Sequence, residues 1–174
     1  MYYLCDIIID RIMLNRDVFD CDAICSEIIT KLHDTDSRSR HRHYSVLFRS
    51  GKNKRWEAKI AFGTNSLKQN NSITPSIHAE MDAINKLKNC RNIPKSMDLL
   101  IVQITKSKKL ANSRPCHNCI CYLNKLCKTI KIKHVYYSTN DGTIIKEKLK
   151  DMETSMVPHI SCGYLKVLNG LWQK

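Results

Sequence analysis

Two short segments contain residue types that could hold a metal ion and move a proton. One is His-Ala-Glu at 78–80, and the other is Pro-Cys-His-Asn-Cys at 115–119. Zinc prefers imidazole and thiolate donors, and a catalytic zinc site keeps one of its four positions for water. His78, Cys116 and Cys119 could supply the other three positions. This combination predicts a hydrolase that activates water on zinc.

The spacing within each segment agrees with that chemistry. Cys116 and Cys119 are three residues apart, so both sulfurs can face one side of a helix start, where the helix dipole favours thiolates. Bound zinc can lower the pKa of water to about 7. Glu80 lies two residues after His78, so it can stand beside the metal without binding it. It could then act as the general acid and base, which is worth roughly 10²–10⁴-fold in rate.

The elements that must position these residues follow from hydrophobic periodicity. Helical spacing predicts helices at 21–33, 77–90, 116–127 and 143–152. Alternation and short apolar runs predict strands at 44–49, 55–63, 97–105, 133–138 and 160–168. The first two strands form a hairpin, and the later alternation of helix and strand implies parallel neighbours.

These elements predict an α/β fold, with a mixed five-stranded sheet and helices on both faces. The zinc site would assemble where the helix starts at His78 and Cys116 lie side by side. Residues 1–43 would be an N-terminal segment with the first helix, packed on a catalytic domain at 44–174. A chain of 174 residues fits one such domain.

The composition indicates the class of protein and its cellular location. The sequence is 43% hydrophobic and 26% charged, which is ordinary for a globular protein. It contains no apolar run long enough to cross a bilayer and no pattern typical of a signal peptide. Nine cysteines without a secretion signal favour a reducing, intracellular and cytoplasmic location.

The formal net charge of +13 leaves two interpretations open. It favours phosphate-bearing partners, either nucleotides or nucleic acid, and the basic loop at Lys106–Lys109 is one place for them. Alternatively, an AT-rich genome would give the same excess of Lys, together with much Ile and Asn. No membrane partner is expected.

A Cys-x-x-Cys motif alone is weak, because redox motifs and structural zinc fingers share it. A structural zinc finger would need a second pair, from Cys121 and Cys127 or from Cys21 and Cys25. The helix at 116–127 cannot easily present Cys119, Cys121 and Cys127 to one ion. The motif is specific only in combination with His-x-Glu.

That combination resembles the zinc-binding motif of the cytidine and deoxycytidylate deaminase superfamily, which is His-x-Glu followed by Pro-Cys-x-x-Cys. The likeness extends from about Tyr44 to Leu168. The segment 78–84 is most similar to the deoxycytidylate branch, and 141–161 is similar to deaminase domains encoded by large DNA viruses and some microbes. The resemblance implies a three-layer cytidine-deaminase-like fold, a zinc cofactor and hydrolysis of cytosine to uracil. It also suggests a homo-oligomer.

The resemblance implies a role for each matching position. His78, Cys116 and Cys119 would bind zinc, and Glu80 would shuttle protons. The remaining implied contacts are with the substrate: Asn65 with the sugar or base, the backbone of Ala79 with the ring edge, and Tyr136 and Tyr137 with the base.

Arg114 marks a departure from the family pattern. Deaminases of polynucleotides usually have Trp just before Pro-Cys, so Arg114 at that position weakens a polynucleotide substrate. A 5′ phosphate could be bound by Arg114, by the segment 41–43 or by neither.

Three hypotheses therefore remain. The first is deamination of cytosine in a free nucleotide or nucleoside, including deoxynucleotides. The second is the same chemistry on cytosine or adenine in single-stranded DNA, RNA or tRNA. The third is a non-catalytic module that zinc stabilises and that binds nucleic acid or a protein partner.

Overall fold

The computed structural model describes residues 41–50, 56–67, 76–87, 89–90, 93–107, 109–126, 130–154, 159–161 and 165. Within these ranges the strands are β1 (His41–Ser50), β2 (Trp56–Thr64), β3 (Ser66–Leu67), β4 (Ser76–Ile77), β5 (Ser96–Thr105), β6 (Leu110–Ala111), β7 (Lys131–Ser138) and β8 (Ile144–Lys148). The helices are α1 (Ala79–Leu87), α2 (His117–Leu126) and α3 (Leu149–Met152). The helix predicted at 21–33 and most of the segment 1–43 lie outside the described residues.

One mixed sheet organises the molecule. Its strand order is β2-β1-β5-β7-β8, and β6 pairs with β5 outside this path. β1 is antiparallel to both β2 and β5, β5 and β7 are parallel, and β7 and β8 are antiparallel. The predicted hairpin, the parallel pair and the α/β class with a mixed sheet are thereby confirmed.

The central position of β5 follows from its composition. Nearly all of its residues from Met97 to Ile104 are buried, as expected for a strand covered on both faces. Leu99 and Ile101 point to one face, where they meet buried residues of all three described helices, such as Ile84, Ile120 and Leu149. This face forms the main core of the domain.

The opposite face of the sheet is also buried. Its side chains come from alternate positions of the same strands, and Phe48 and Tyr136 pack there with ring centroids 5.8 Å apart. Tyr44 and Phe62 form a second aromatic pair, at 5.9 Å. Both faces are therefore covered. All three described helices pack against the first face.

Two predictions for the C-terminal part were wrong. The predicted helix at 143–152 is a strand in its first half, because Ile144 to Lys148 pair with β7, and only Leu149–Met152 are helical. The predicted strand at 160–168 is not seen at residues 160, 161 and 165. There, Leu165 N–H donates to Ser161 O at 3.0 Å, the i to i−4 bond of a helix. The fifth long strand of the sheet is thus β8.

Two smaller differences concern the region before α1. The loop predicted at 66–76 contains two short strands at its ends, which pair Ser66 with Ile77. The helix predicted from Ile77 begins at Ala79. Among the described residues, no helix is both long and apolar enough to span a membrane.

A candidate metal centre between two helix starts

The start of α1 lies directly against the sheet because Gly63 has no side chain. A Cβ at Gly63 would approach Ala79 O to 2.1 Å and Ala83 N to 2.5 Å. The buried Ser45 hydroxyl donates to the same Ala79 carbonyl at 2.6 Å. These contacts fix the first turn of α1 over strands β1 and β2, and His78 immediately precedes that turn.

A second set of bonds fastens the side of α1. Asp82 accepts a hydrogen bond from Thr64 N–H at 2.9 Å, and Lys86 forms an ion pair with Asp82 at 2.7 Å. Lys86 also donates to Phe62 O at 3.0 Å. The end of β2 is therefore tied to α1 by polar contacts as well as by packing.

The start of α2 is positioned by two buried serines. Ser113 Oγ donates to Ile101 O at 2.8 Å, and Ser138 N–H donates to Ser113 Oγ at 2.8 Å. Ser138 Oγ in turn donates to Ala111 O at 2.6 Å. The segment before Cys116 is thus bonded across the ends of β5 and β7, which places Cys116 beside the start of α1.

Three donor atoms converge between these helix starts. His78 Nδ1 lies 3.5 Å from Cys116 Sγ and 3.3 Å from Cys119 Sγ. All three donor atoms lie within 4.8 Å of one another. His78 is half-buried, whereas both cysteines are buried. The structure therefore brings together the three residues for which the sequence predicted zinc binding.

These distances suit a tetrahedral zinc site. Zinc–nitrogen bonds of about 2.05 Å and zinc–sulfur bonds of about 2.3 Å, at a tetrahedral angle, put nitrogen and sulfur about 3.6 Å apart. The two nitrogen–sulfur distances here, 3.5 and 3.3 Å, are close to that separation. Because the donor set has two sulfurs, one nitrogen and no oxygen, its chemistry favours zinc over magnesium or calcium.

A hydrogen bond joins the two sulfurs and shifts their pKa values in opposite directions. A hydrogen bond from the Cys119 thiol, opposed by burial, lowers the pKa of Cys116 to about 4. The same bond, together with burial, raises the pKa of Cys119. The hydrogen bond with Cys116 raises the pKa of His78. Cysteine binds metal as a thiolate, so zinc binding at this pair would release protons.

Glu80 stands beside the three donors without being one of them. The residue is 4% exposed, and burial raises the pKa of its carboxyl from 4.5 to about 7. Hydrogen bonding to its own backbone N–H and attraction to His78 oppose this shift. A carboxyl group with a pKa near neutrality can both accept and release a proton, as general acid–base chemistry requires.

A cleft of about 260 Å³ opens onto this centre. His78, Cys116 and Glu80 line its floor together with Ala79. The remaining lining residues are His43, Asn65, Ser76, Ile77, Arg114, His159 and Ser161.

Two of the residues expected to contact substrate, Asn65 and Ala79, line the cleft. Asn65 Oδ1 accepts a hydrogen bond from His43 N–H at 2.9 Å, so this side chain also holds the start of β1. Ala79 is fully buried, and its carbonyl is occupied by Ser45. Its N–H lies in the first turn of α1, where backbone donors lack partners within the helix.

Arg114 lines the cleft, but its guanidinium group also contacts residues outside the cleft. Its Nη2 atom donates to Met152 O at 3.2 Å and lies 3.6 Å from Glu147 Oε2. The Tyr137 hydroxyl donates to the same Glu147 carboxylate. Arg114 therefore links the cleft wall to β8 and α3.

Tyr136 and Tyr137 are not among the cleft residues. Adjacent strand residues point to opposite faces. Tyr136 accordingly packs against Phe48 on the second face, while Tyr137 belongs to the main core and reaches Glu147. The sequence analysis placed both beside the base, but this structure brings neither to the cleft.

Sequence reasoning missed two imidazoles at the cleft as individual site residues. His43 lies on β1, within the 41–43 segment that was considered for phosphate binding. His159 follows α3, and its carbonyl accepts a hydrogen bond from His117 N–H at 2.8 Å. Neither position belongs to a local motif, so no signal in the sequence singled them out. The His117 ring itself lies 3.5 Å from Cys121 Sγ.

No family model matches the sequence. No curated protein matches it either. Among solved structures, the chain is similar to the apo deoxycytidylate (dCMP) deaminase of cyanophage S-TIM5, with 19% identity over 57% of this chain and 68% of that chain and a TM-score of 0.38. It is also similar to the same phage enzyme in complex with dCMP and dUMP, with 17% identity over 67% and 79% of the two chains and a TM-score of 0.40.

Proposed function

We propose that this protein is a zinc-dependent deaminase that hydrolyses the exocyclic amine of cytosine in a free nucleotide. One observation supports this function above all. Three zinc-type donors lie within 4.8 Å of one another, and a buried carboxyl group that is not among them lines the same cleft. A purely structural metal site would need no such carboxyl group.

His78, Cys116 and Cys119 would hold the zinc ion. When bound, zinc supplies a Lewis acid that makes water acidic enough to serve as a nucleophile at neutral pH. The chain itself supplies a fixed donor set, because both helix starts are fastened to the sheet. It also excludes bulk water from the cysteines, which are only 5% and 3% exposed.

Glu80 would move the protons of the reaction. Attack by water at C4 of cytosine forms a carbon–oxygen bond, and the carbon–nitrogen bond to the exocyclic amine then breaks. The Glu80 carboxylate would take a proton from water and deliver it to the ring nitrogen N3. It would then take the second proton, from the new C4 hydroxyl group, and deliver it to the exocyclic amine, which leaves as ammonia. Cytosine and water thereby give uracil and ammonia, and Glu80 returns to its starting state.

The rest of the cleft would orient the nucleotide. Asn65 and the first N–H groups of α1 would donate hydrogen bonds to the sugar and the base. Arg114, His43 and His159 surround the opening, and Glu80 is the only carboxyl group among the described lining residues. These nitrogen-bearing side chains would suit a substrate that carries phosphate. A cleft of about 260 Å³ also suits a small molecule.

The test is a mass-spectrometric deamination assay on zinc-loaded protein. The substrates are dCMP, CMP, deoxycytidine, cytidine, dAMP, a cytosine-containing oligonucleotide and a tRNA. We expect conversion of the cytosine monophosphates, with slower turnover of the nucleosides. The isosteric Glu80→Gln variant should lose roughly 10²–10⁴-fold in kcat. Metal analysis of both proteins should show one zinc per chain.

The outcomes separate the three hypotheses from one another. Turnover of the oligonucleotide or tRNA alone would assign the same chemistry to nucleic acid. No product from any substrate, in protein that holds one zinc per chain, would contradict catalysis and leave a binding module. Equal rates for wild type and Glu80→Gln would contradict the role assigned to Glu80.

A further inference from the structure

A second cavity lies at the far end of the sheet from the cleft. Its volume is about 580 Å³, and Lys131, Lys133, Lys148 and Lys150 line it together with His134 and Asn124. We call this group of four lysines and its cavity the lysine pocket. All four lysines are exposed. The proposed deaminase chemistry uses none of them.

A β-bulge shapes one wall of the lysine pocket. In the pairing of β5 with β7, Met97 faces Ile132 and Leu99 faces Val135, so Lys133 and His134 together oppose Asp98. Asp98 Oδ1 accepts bonds from His134 N–H and from His134 Nδ1, both at 3.1 Å. Bulges redirect side chains. This bulge is fixed by a buried carboxylate, so the pocket wall is a built feature of the fold.

The lysine pocket is separate from the catalytic cleft. Lys131 begins β7, whereas Ser138 ends it and holds the segment before Cys116. Eight extended residues span roughly 23 Å at about 3.3 Å per step. A ligand of the pocket would therefore not be the phosphate of a nucleotide bound in the cleft.

The four lysines of the pocket have no carboxylate partner among the described residues. Of the nearby carboxylates, Glu147 is engaged by Tyr137, and Glu153 accepts a bond from Asn124 Nδ2 at 2.9 Å. The exposed Asp151 follows Lys150 in the sequence. The pocket lining itself contains four lysines and no carboxylate.

The arrangement of the lysines suits an extended row of phosphates better than one compact anion. Lys131 and Lys133 are two strand residues apart, or about 6.6 Å, and the neighbouring strand that supplies Lys148 is about 4.8 Å away. The apolar lining residues Ile132 and Leu149 are buried. His134 supplies the only aromatic ring among the described lining residues, and Asp98 Oδ1 holds that ring by a hydrogen bond at 3.1 Å. Contacts would therefore be made to the backbone of a nucleic acid and not to its bases.

We propose that the lysine pocket binds the phosphate backbone of single-stranded nucleic acid without sequence preference. Four lysine–phosphate contacts predict a slope of about −2.8 for the logarithm of the association constant against the logarithm of salt concentration. That slope corresponds to roughly 50-fold weaker binding at 200 mM than at 50 mM salt. The basic loop at Lys106–Lys109, considered from the sequence, contributes less in this proposal.

The test measures fluorescence anisotropy of a labelled twenty-nucleotide oligothymidylate bound to the full chain. Thymine has no exocyclic amine, so the result does not depend on deaminase activity. Lys131→Gln/Lys133→Gln and Lys148→Gln/Lys150→Gln should each reduce the magnitude of the salt slope by about 1.4. The matched control is Lys106→Gln/Lys109→Gln, which also removes two positive charges but at a different place. It should reduce the magnitude of the salt slope by less than half of the reduction expected for the pocket variants, that is, by less than about 0.7.

Several results would overturn the proposal. Equal losses in the control and in the pocket variants would show an effect of net charge alone. Binding that does not change with salt would contradict phosphate contacts. Tight binding of inorganic triphosphate, with no oligonucleotide binding at 50 mM salt, would assign the pocket to a compact anion.

Discussion

The cleft and the lysine pocket use charge in opposite ways. In the cleft, Glu80 and the Cys116–Cys119 pair are buried and close together, and their pKa values move far from the ordinary ones. In the lysine pocket, the four lysines are exposed. The two regions lie at opposite ends of β7, so one strand connects two kinds of electrostatic surface.

The difference shows how burial determines the effect of a single residue. Low dielectric surroundings strengthen each interaction, so removal of one buried group changes chemistry or folding by a large amount. Exposed charges act through many weak contributions, which salt screens. Single substitutions should therefore have large effects in the cleft, whereas the pocket should respond gradually and to salt.

The largest effect is expected from His78→Ala, which removes one metal donor. Zinc content should fall from one per chain towards zero, and kcat/KM should drop by more than about 100-fold. Loss of a residue that only hydrogen-bonds to a metal ligand costs about 10–100-fold, and loss of the ligand itself should cost more. The control is His117→Ala, since the His117 ring contacts Cys121 instead. Metal analysis and the deamination assay measure both. Retention of zinc by His78→Ala would contradict the donor set.

The next effect is a pH dependence of stability in metal-free protein. The ordinary pKa of a glutamate carboxyl group is 4.5, and burial raises the pKa of Glu80 to about 7 in the folded state. The folded state therefore binds more protons between these values, and the free energy of unfolding falls as pH rises from 4.5 through 7. A shift of this size corresponds to ~3 kcal/mol.

Glu80→Gln isolates this contribution, because its side chain stays neutral. Denaturant unfolding of wild type and variant should give similar free energies at pH 4.5. At pH 8 the variant should be more stable by about 3 kcal/mol. The titration of Cys116 is common to both proteins and cancels to first order. A constant difference across this pH range would show that Glu80 is not desolvated.

A smaller effect is expected from Gly63→Ala, which tests how tightly α1 is held. The new Cβ would meet backbone atoms of Ala79 and Ala83, which cannot rotate away. Overpacking of this kind should cost about 2 kcal/mol of stability, and the displaced start of α1 should also reduce kcat. Gly142→Ala is the comparison. Gly142 has a φ of 87°, so alanine there should cost about 1–2 kcal/mol by strain while kcat stays unchanged.

The smallest effect is expected from Asp98→Asn, in the wall of the lysine pocket. The amide retains one acceptor oxygen but loses the charge that faces His134, which should cost about 1 kcal/mol. Oligonucleotide binding should weaken severalfold because the bulge is less firmly held, while kcat is unchanged. A parallel loss of kcat would mean that the two ends of β7 are not independent.

Local patterns were sufficient for much of the fold. The apolar run of β5, the hairpin and the start of α2 after Pro115 all depend on neighbouring residues, and the structure has them. The segment 144–148 was different. Ile145, Leu149 and Met152 recur at helical spacing, but an open edge beside β7 makes a strand of the first half. Residues 144–148 form a strand because they pair with β7, and the local sequence pattern does not indicate that pairing.

The candidate site also contains residues that local motifs predict and residues that only the folded chain brings together. His78, Glu80, Cys116 and Cys119 belong to two compact motifs, so their types and spacing were enough to predict that they meet. His43 and His159 come from β1 and from the segment after α3, and only the folded chain brings them to the cleft. Tyr136 and Tyr137 were expected at the site but do not line the cleft. Adjacent side chains of a strand point to opposite faces, so the two tyrosines cannot both face one site.

The hydrogen bonds between Ser113 and Ser138 should affect the rates of amide hydrogen exchange and of metal uptake. These two residues exchange backbone and side-chain hydrogen bonds across β5 and β7, and both are at most 2% exposed. Their amide hydrogens should exchange with deuterium only when this part of the sheet opens, and not through local fraying. The conformational entropy of the segment before Cys116 is therefore lost when the chain folds. Metal uptake should then proceed at the rate of encounter and proton release, without waiting for a loop to order.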